Sequence, residues 1–247
     1  MSPIADAEIH LSFFGTEADA SAPPSGLLAR AAPRRAARSR ERDALFLALS
    51  LNSHAPVPPE RVNELAELAA DAFFGSPGSV TSALREALAT VNARLLQTNL
   101  RGVAAGQHTQ GSLICAALRG PDLYVATCGP ATGWVAGGGG TLRFAAESRG
   151  HALGVSQAVA VQYFHTQVGP GHLLALCAAP PPEWETADLT GLSATAAQEK
   201  LNRLPGSHAA VLVEFAPPEG GRETGDGRPT IEDRGPKTED RRPKTVD

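Results

Sequence analysis

Gly111 to Gly138 reads GSLICAALRGPDLYVATCGPATGWVAGG. Short apolar runs are separated here by Gly-Pro-Asp and Gly-Pro-Ala, residues that favour turns. The stretch therefore reads as a strand, a tight turn, a second strand and the start of a third. The pattern continues with TLRFAAE, then AVAVQYFHTQV, the turn Gly169-Pro170-Gly171, and HLLALCAA. A helix is expected around Thr195 to Leu204, and a last strand, HAAVLVEF, over His208 to Phe215. After Gly106, then, the chain is a run of short antiparallel strands with one late helix.

Upstream the pattern differs. EIHLSFFG, Glu8 to Gly15, alternates as a first strand does. Residues from about 18 to 40 are rich in Ala, Pro and Arg and read as a loop. Its Arg34, Arg35, Arg38 and Arg40, with Arg42 just beyond, read as a solvated basic cluster. DALFLALSL, Asp43 to Leu51, is a continuous apolar run suited to a strand covered on both faces. Pro58-Pro59-Glu60 opens a helix with Val62, Leu65, Ala66, Leu68 and Ala69 on one face. Gly75, Pro77 and Gly78 stop it. Ser79 caps a second helix striped by Val80, Leu84, Leu88, Val91 and Leu95. Strands, two helices, many strands, a helix and a strand make an α+β order, not an alternating βαβ one.

Composition sets the outer bounds. The chain has 247 residues, 42% of them hydrophobic, which suits one globular domain with a tail. The domain is expected over 1–216. Beyond it, 217–247 loses its apolar residues and repeats every seven: EDRGPKT is followed directly by EDRRPKT. A proline in each repeat (Pro229, Pro236, Pro243) forbids a helix, so this tail is expected to be disordered. A net charge of -4 argues against nucleic acid. No run reaches the ~18 apolar residues of a membrane span. The first residues lack a basic stretch followed by an apolar core, so no signal peptide is read and a cytoplasmic location is expected. Cys115, Cys128 and Cys177 sit mid-strand without CxxC spacing and read as packed, reduced thiols.

The order of these blocks resembles the metal-dependent protein phosphatases, the PPM or protein phosphatase 2C-like family. Leu123-Tyr124-Val125-Ala126 with Gly129 matches the family's LYVANVGD block. Gly111-Ser112 matches its Gly-Ser/Thr strand, Ala152-Leu153-Gly154 its ALG, and GHLLALC its GDLLLLCSDG. The resemblance implies a four-layer α-β-β-α sandwich of two antiparallel sheets flanked by helices. It also implies that the metal ligands are gone. Ser50 and Leu51 stand at the Asp-Gly of the first motif. Pro130 and Ala179 stand at two further aspartates, and Ser207 at a last one. Carboxylate oxygens are what a hard Mn or Mg ion requires, and these side chains offer none. The seven His show neither HxH nor HExxH spacing; His54 and His208 are candidate cleft-rim residues. The implied function is a catalytically inactive phosphatase-like domain with a binding or regulatory role. No catalytic residue and no cofactor is expected. The implied partner is a protein: a kinase, a phosphoprotein or a phosphatase. An active divergent phosphatase, holding Mn or Mg through relocated ligands, is the alternative; an unrelated α+β interaction module is the third reading.

Overall fold

The computed structural model describes residues 8–15, 24–102, 108–145, 152–205 and 209–216. The expected tail lies outside them, as do Ser207 and His208. Ten strands form two antiparallel five-stranded sheets. The first contains β1 (Glu8–Gly15), β10 (Ala209–Ala216), β9 (His172–Cys177), β6 (Thr132–Gly137) and β7 (Gly140–Ala145), in that spatial order. The second runs β2 (Leu27–Ala31), β3 (Asp43–Ser53), β4 (Thr109–Arg119), β5 (Asp122–Cys128) and β8 (Gln162–Gln167).

Three apolar clusters fill the spaces between layers. Even-numbered residues of β3 (Ala44, Phe46, Ala48) and of β4 (Ile114, Ala116, Leu118) face the other sheet, where they meet Leu174, Leu176, Val211, Val213 and Phe215. Odd-numbered residues of β3 (Leu45, Leu47, Leu49) face α1 (Pro59–Gly75) and α2 (Val80–Gly102). On the far side, α3 (Ala194–Asn202) lays Ala197 and Leu201 against Ala175, Ala210 and Leu212. The result is the α-β-β-α sandwich that the family resemblance implies, within the α+β class read from the order of elements. No helix of the described residues is long and apolar enough to cross a membrane.

Local chemistry explains the helix ends. Pro59 sits at the first turn of α1, where its missing N–H costs nothing. Ser79 caps α2, its Oγ accepting the Ser82 N–H at 3.1 Å. Ser193 does the same for α3 through Ala196 N–H.

The segment expected to be a loop from about 18 to 40 departs from that reading. Leu27–Ala31 is a strand, and Arg38–Arg40 is a turn of 3-10 helix. Pairing with Leu45 to Ala48 recruits a short sequence of weak strand signal into the sheet edge. Gly26 makes the entry possible. Its φ is +79°, and a Cβ there would lie 2.2 Å from the Leu49 carbonyl oxygen. The basic cluster also divides. Arg34, Arg35, Arg38 and Arg42 are exposed, but Arg40 is completely buried. Its guanidinium donates to Asp43 Oδ2 at 2.8 Å and to the Gly78 carbonyl, and lies 5.4 Å from the centre of the Phe73 ring. Burial holds the Arg40 pKa below its usual value despite the facing Asp43.

Candidate functional site

β3 and β4 pair in one unbroken register that sets Ser50 opposite Ser112. Strand alternation turns both side chains toward the other sheet, continuing the lines of Ala48 and Ile114. β4 and β5 pair from Leu113–Cys128 to Arg119–Asp122, so the chain leaves β5 beside Ser112. Gly129, with φ +76°, makes that exit; a Cβ on it would lie 3.2 Å from Ser112 Oγ. Pro130 follows and is exposed. From the opposite sheet, β9 ends at Cys177, and Ala178 reaches across to accept a hydrogen bond from Ser112 Oγ at 2.5 Å. Ala179, next in the chain, is exposed. Register and this one bond thus bring Ser50, Pro130 and Ala179 to the same end of the sandwich.

His54 follows β3 at that end, exposed and without a hydrogen bond among the described residues. Ser207 and His208 lie outside the described residues. β10 begins just beyond them at Ala209, and its Ala210 lies beside Cys177. Leu51 behaves differently from Ser50. Alternation turns it away from the inter-sheet space, and its Cδ2 packs 3.3 Å from where a Cβ on Gly111 would be. Leu51 thus packs on the helix side of the sheet, away from the inter-sheet space that Ser50 faces.

Among the described residues, the groups that face the inter-sheet space at this end are hydroxyls. Ser50, Ser112 and Thr127 contribute them; Thr127 Oγ1 donates to the Ala131 carbonyl at 3.1 Å. Among the described residues no group of three or more His, Cys, Asp or Glu is placed to hold a metal ion. A pair of hard dications needs several carboxylate or imidazole ligands, so the described donor set does not fit one. A serine nucleophile needs a base within hydrogen-bond reach, and none is bonded to Ser50 or Ser112.

The thiols offer no nucleophile either. All three are buried, and none forms a disulfide among the described residues. Burial pushes the Cys115 pKa up strongly, that of Cys128 to about 11 and that of Cys177 to about 12. At pH 8 the most acidic of them is a thiolate to about one part in a thousand. A colorimetric disulfide reagent is expected to leave the native protein essentially unlabelled over an hour and to titrate three thiols once guanidinium unfolds it. One thiol reacting within a minute in the native state would contradict this.

Two features went unread in the sequence. Ser112 was matched only as a strand residue, and its bond across the sheets needs the second sheet to be seen. Asn92 and Asn99 of α2 were not singled out, although both are buried. Asn99 Nδ2 donates to the Thr109 carbonyl at 2.7 Å and the Gly154 carbonyl at 2.9 Å, while its Oδ1 accepts Thr109 N–H at 2.9 Å. Asn92 accepts Gly154 N–H and donates to the Ser156 carbonyl. The seven-residue spacing of two asparagines on the apolar face was the available signal.

No family model and no curated protein matches the chain. Solved structures do. PppA, a key regulatory component of T6SS in Pseudomonas aeruginosa, matches at a TM-score of 0.55 with 18% identity, over 85% of this chain and 99% of that one. Serine/threonine phosphatase Stp1 from Staphylococcus aureus matches at 0.59 with 9% identity, over 85% and 96%. The catalytic domain of the serine/threonine protein phosphatase PstP, in complex with two manganese ions, matches at 0.57 with 13% identity, over 84% and 98%. The fold is that of the PPM-type phosphatases. At these identities the likeness carries the architecture, and the chemistry has to be argued from this chain's own side chains.

Proposed function

We propose that this chain is a degenerate PPM-type phosphatase-like domain that acts by binding or regulating a protein partner and does not hydrolyse phosphoesters. The observation that carries the reading is the meeting of Ser50, Pro130 and Ala179 at one end of a phosphatase-type sandwich. Those are three positions where the family resemblance calls for carboxylates. Phosphomonoester hydrolysis is among the slowest uncatalysed reactions and demands a very large barrier reduction. A two-metal site supplies it by clamping phosphate oxygens and generating hydroxide near neutral pH. Neutral hydroxyls and a proline ring supply neither. The family's partners in phosphorylation signalling, a kinase, a phosphoprotein or another phosphatase, are the class of protein such a domain would engage, and PppA's regulatory role accords with that. The proposed setting is the cytoplasm, where three buried thiols outside any disulfide stay reduced.

The full-length protein is expected to show no turnover of p-nitrophenyl phosphate above the buffer blank, with or without Mn or Mg. Calorimetric titration is expected to show no stoichiometric Mn uptake in the micromolar range. Turnover that a chelator abolishes would replace this reading with an active, divergent phosphatase.

A further inference from the structure

The bond from Ser112 Oγ to the Ala178 carbonyl runs from one sheet of the sandwich to the end of the other. Among the described residues the space between the sheets is filled mainly by apolar side chains. Ser112 is only 7% exposed, so its hydroxyl has little access to water as an alternative partner. The exit turn from β5 closes over it: the absent Cβ of Gly129 would sit 3.2 to 3.3 Å from three Ser112 atoms. The hydroxyl proton is committed to a backbone carbonyl, and its neighbour in register, Ser50, is neutral too. A fold neighbour carries two manganese ions in its catalytic domain; the described residues here hold no donor cluster for one.

We infer that this end of the sandwich is a sealed structural joint in which Ser112 fastens one sheet to the other, and that the folded domain neither needs nor takes up manganese to hold it closed. The inference deepens the non-catalytic reading above in one respect, independence from metal. Its decisive observable is stability rather than turnover. A buried hydroxyl bonded to a carbonyl leaves that carbonyl unsatisfied when it is removed. In a domain of this size the loss lowers the melting midpoint by about 4 °C.

The experiment is thermal unfolding of the full chain as wild type, Ser112→Ala, Ser112→Thr and Ser112→Val, each with 1 mM manganese chloride or with EDTA. The Thr and Val variants share one shape and differ only in the hydroxyl. Their comparison therefore reads the bond even if the Ala variant does not fold. The expected result is a midpoint about 4 °C higher for Thr than for Val, a similar fall for Ala, and no shift beyond about 1 °C between manganese and EDTA. Thr and Val melting within a degree of each other would overturn the joint. A rise of several degrees with manganese in the wild type would overturn its metal independence. Phosphatase turnover with the Thr–Val gap intact would strike the functional reading and the metal independence but leave the joint, and a missing gap without turnover would strike the joint alone.

Discussion

Asp43→Ala is expected to destabilise the domain by about 3–5 kcal/mol, read as a lowered urea midpoint. Asp43 opens β3 with its side chain fully buried between two guanidiniums. Arg40 donates to Oδ2 at 2.8 Å; Arg119 grips both oxygens, at 2.7 and 2.9 Å, and also reaches the Ser39 carbonyl. The hydrogen bond to Asp43 raises the Arg119 pKa, whereas burial lowers that of Arg40, whose charge depends the more on the facing carboxylate. Removing the carboxylate leaves Arg40 buried, positive and without its counter-charge. That is the costly case, because desolvation of the ion is no longer offset. The loss is a large part of the 5–15 kcal/mol that a typical domain has. Adding Arg40→Met to the Asp43→Ala background should recover a good share, since an apolar side chain of similar length suits the Phe73 surface. Arg119→Ala should cost far less than Asp43→Ala, because Arg119 is partly exposed and Asp43 keeps Arg40. An Asp43→Ala midpoint within 1 kcal/mol of wild type would show that water or a shifted backbone replaces the pair.

Asn99→Ala is expected to cost about 3 kcal/mol. The side chain makes three hydrogen bonds to backbone at the start of β4 and at Gly154. Truncation orphans one N–H and two carbonyls, of which the Gly154 carbonyl is buried. The carbonyl and amide groups are used together, so no hydrophobic residue of similar volume repairs the loss. Asn99→Leu should be at least as damaging as Asn99→Ala. Amide exchange at Thr109, whose N–H loses its acceptor, should speed up in both variants beyond the global loss of stability. Unchanged local exchange with a small stability loss would mean that the 152–161 segment is held by Asn92 and the Gly111–Leu153 bridge alone.

Much of the architecture was legible before any coordinates. The alternation within EIHLSFFG and the continuous run DALFLALSL marked strands that the structure has, because side-chain period and apolar runs are local properties of sequence. The helix starts were equally plain at Pro58-Pro59 and Ser79. The reading failed where a tertiary partner outweighed local composition. Leu27–Ala31 has little strand character of its own and becomes a strand because β3 offers an unpaired edge. Arg40 reads as one member of an exposed basic run, yet Asp43 and Arg119 give it a buried counter-charge; Arg119 lies 76 residues away from Asp43 in the chain. Leu51 stands next to Ser50 in the chain, yet the parity of β3 sends the two to opposite faces, Leu51 to the helices.

The candidate site divides along the same line. Which residue types stand at the positions that the resemblance matches to carboxylates is written in the sequence: Ser50, Pro130, Ala179 and Ser207 carry no carboxylate whatever the fold does. Their chemistry, and the neutral chemistry of the strand ends around them, follows from covalent structure alone. That Ser50, Pro130 and Ala179 share one end of the molecule was decided only by register, through Ser50 opposite Ser112 and Gly129 against Ser112. That Ser112 bonds to Ala178, 66 residues onward, was decided only by the packing of one sheet on the other. Side-chain period and turn preference act over a few residues, whereas a hydrogen bond across two layers exists only once both sheets have formed and the apolar space between them has closed.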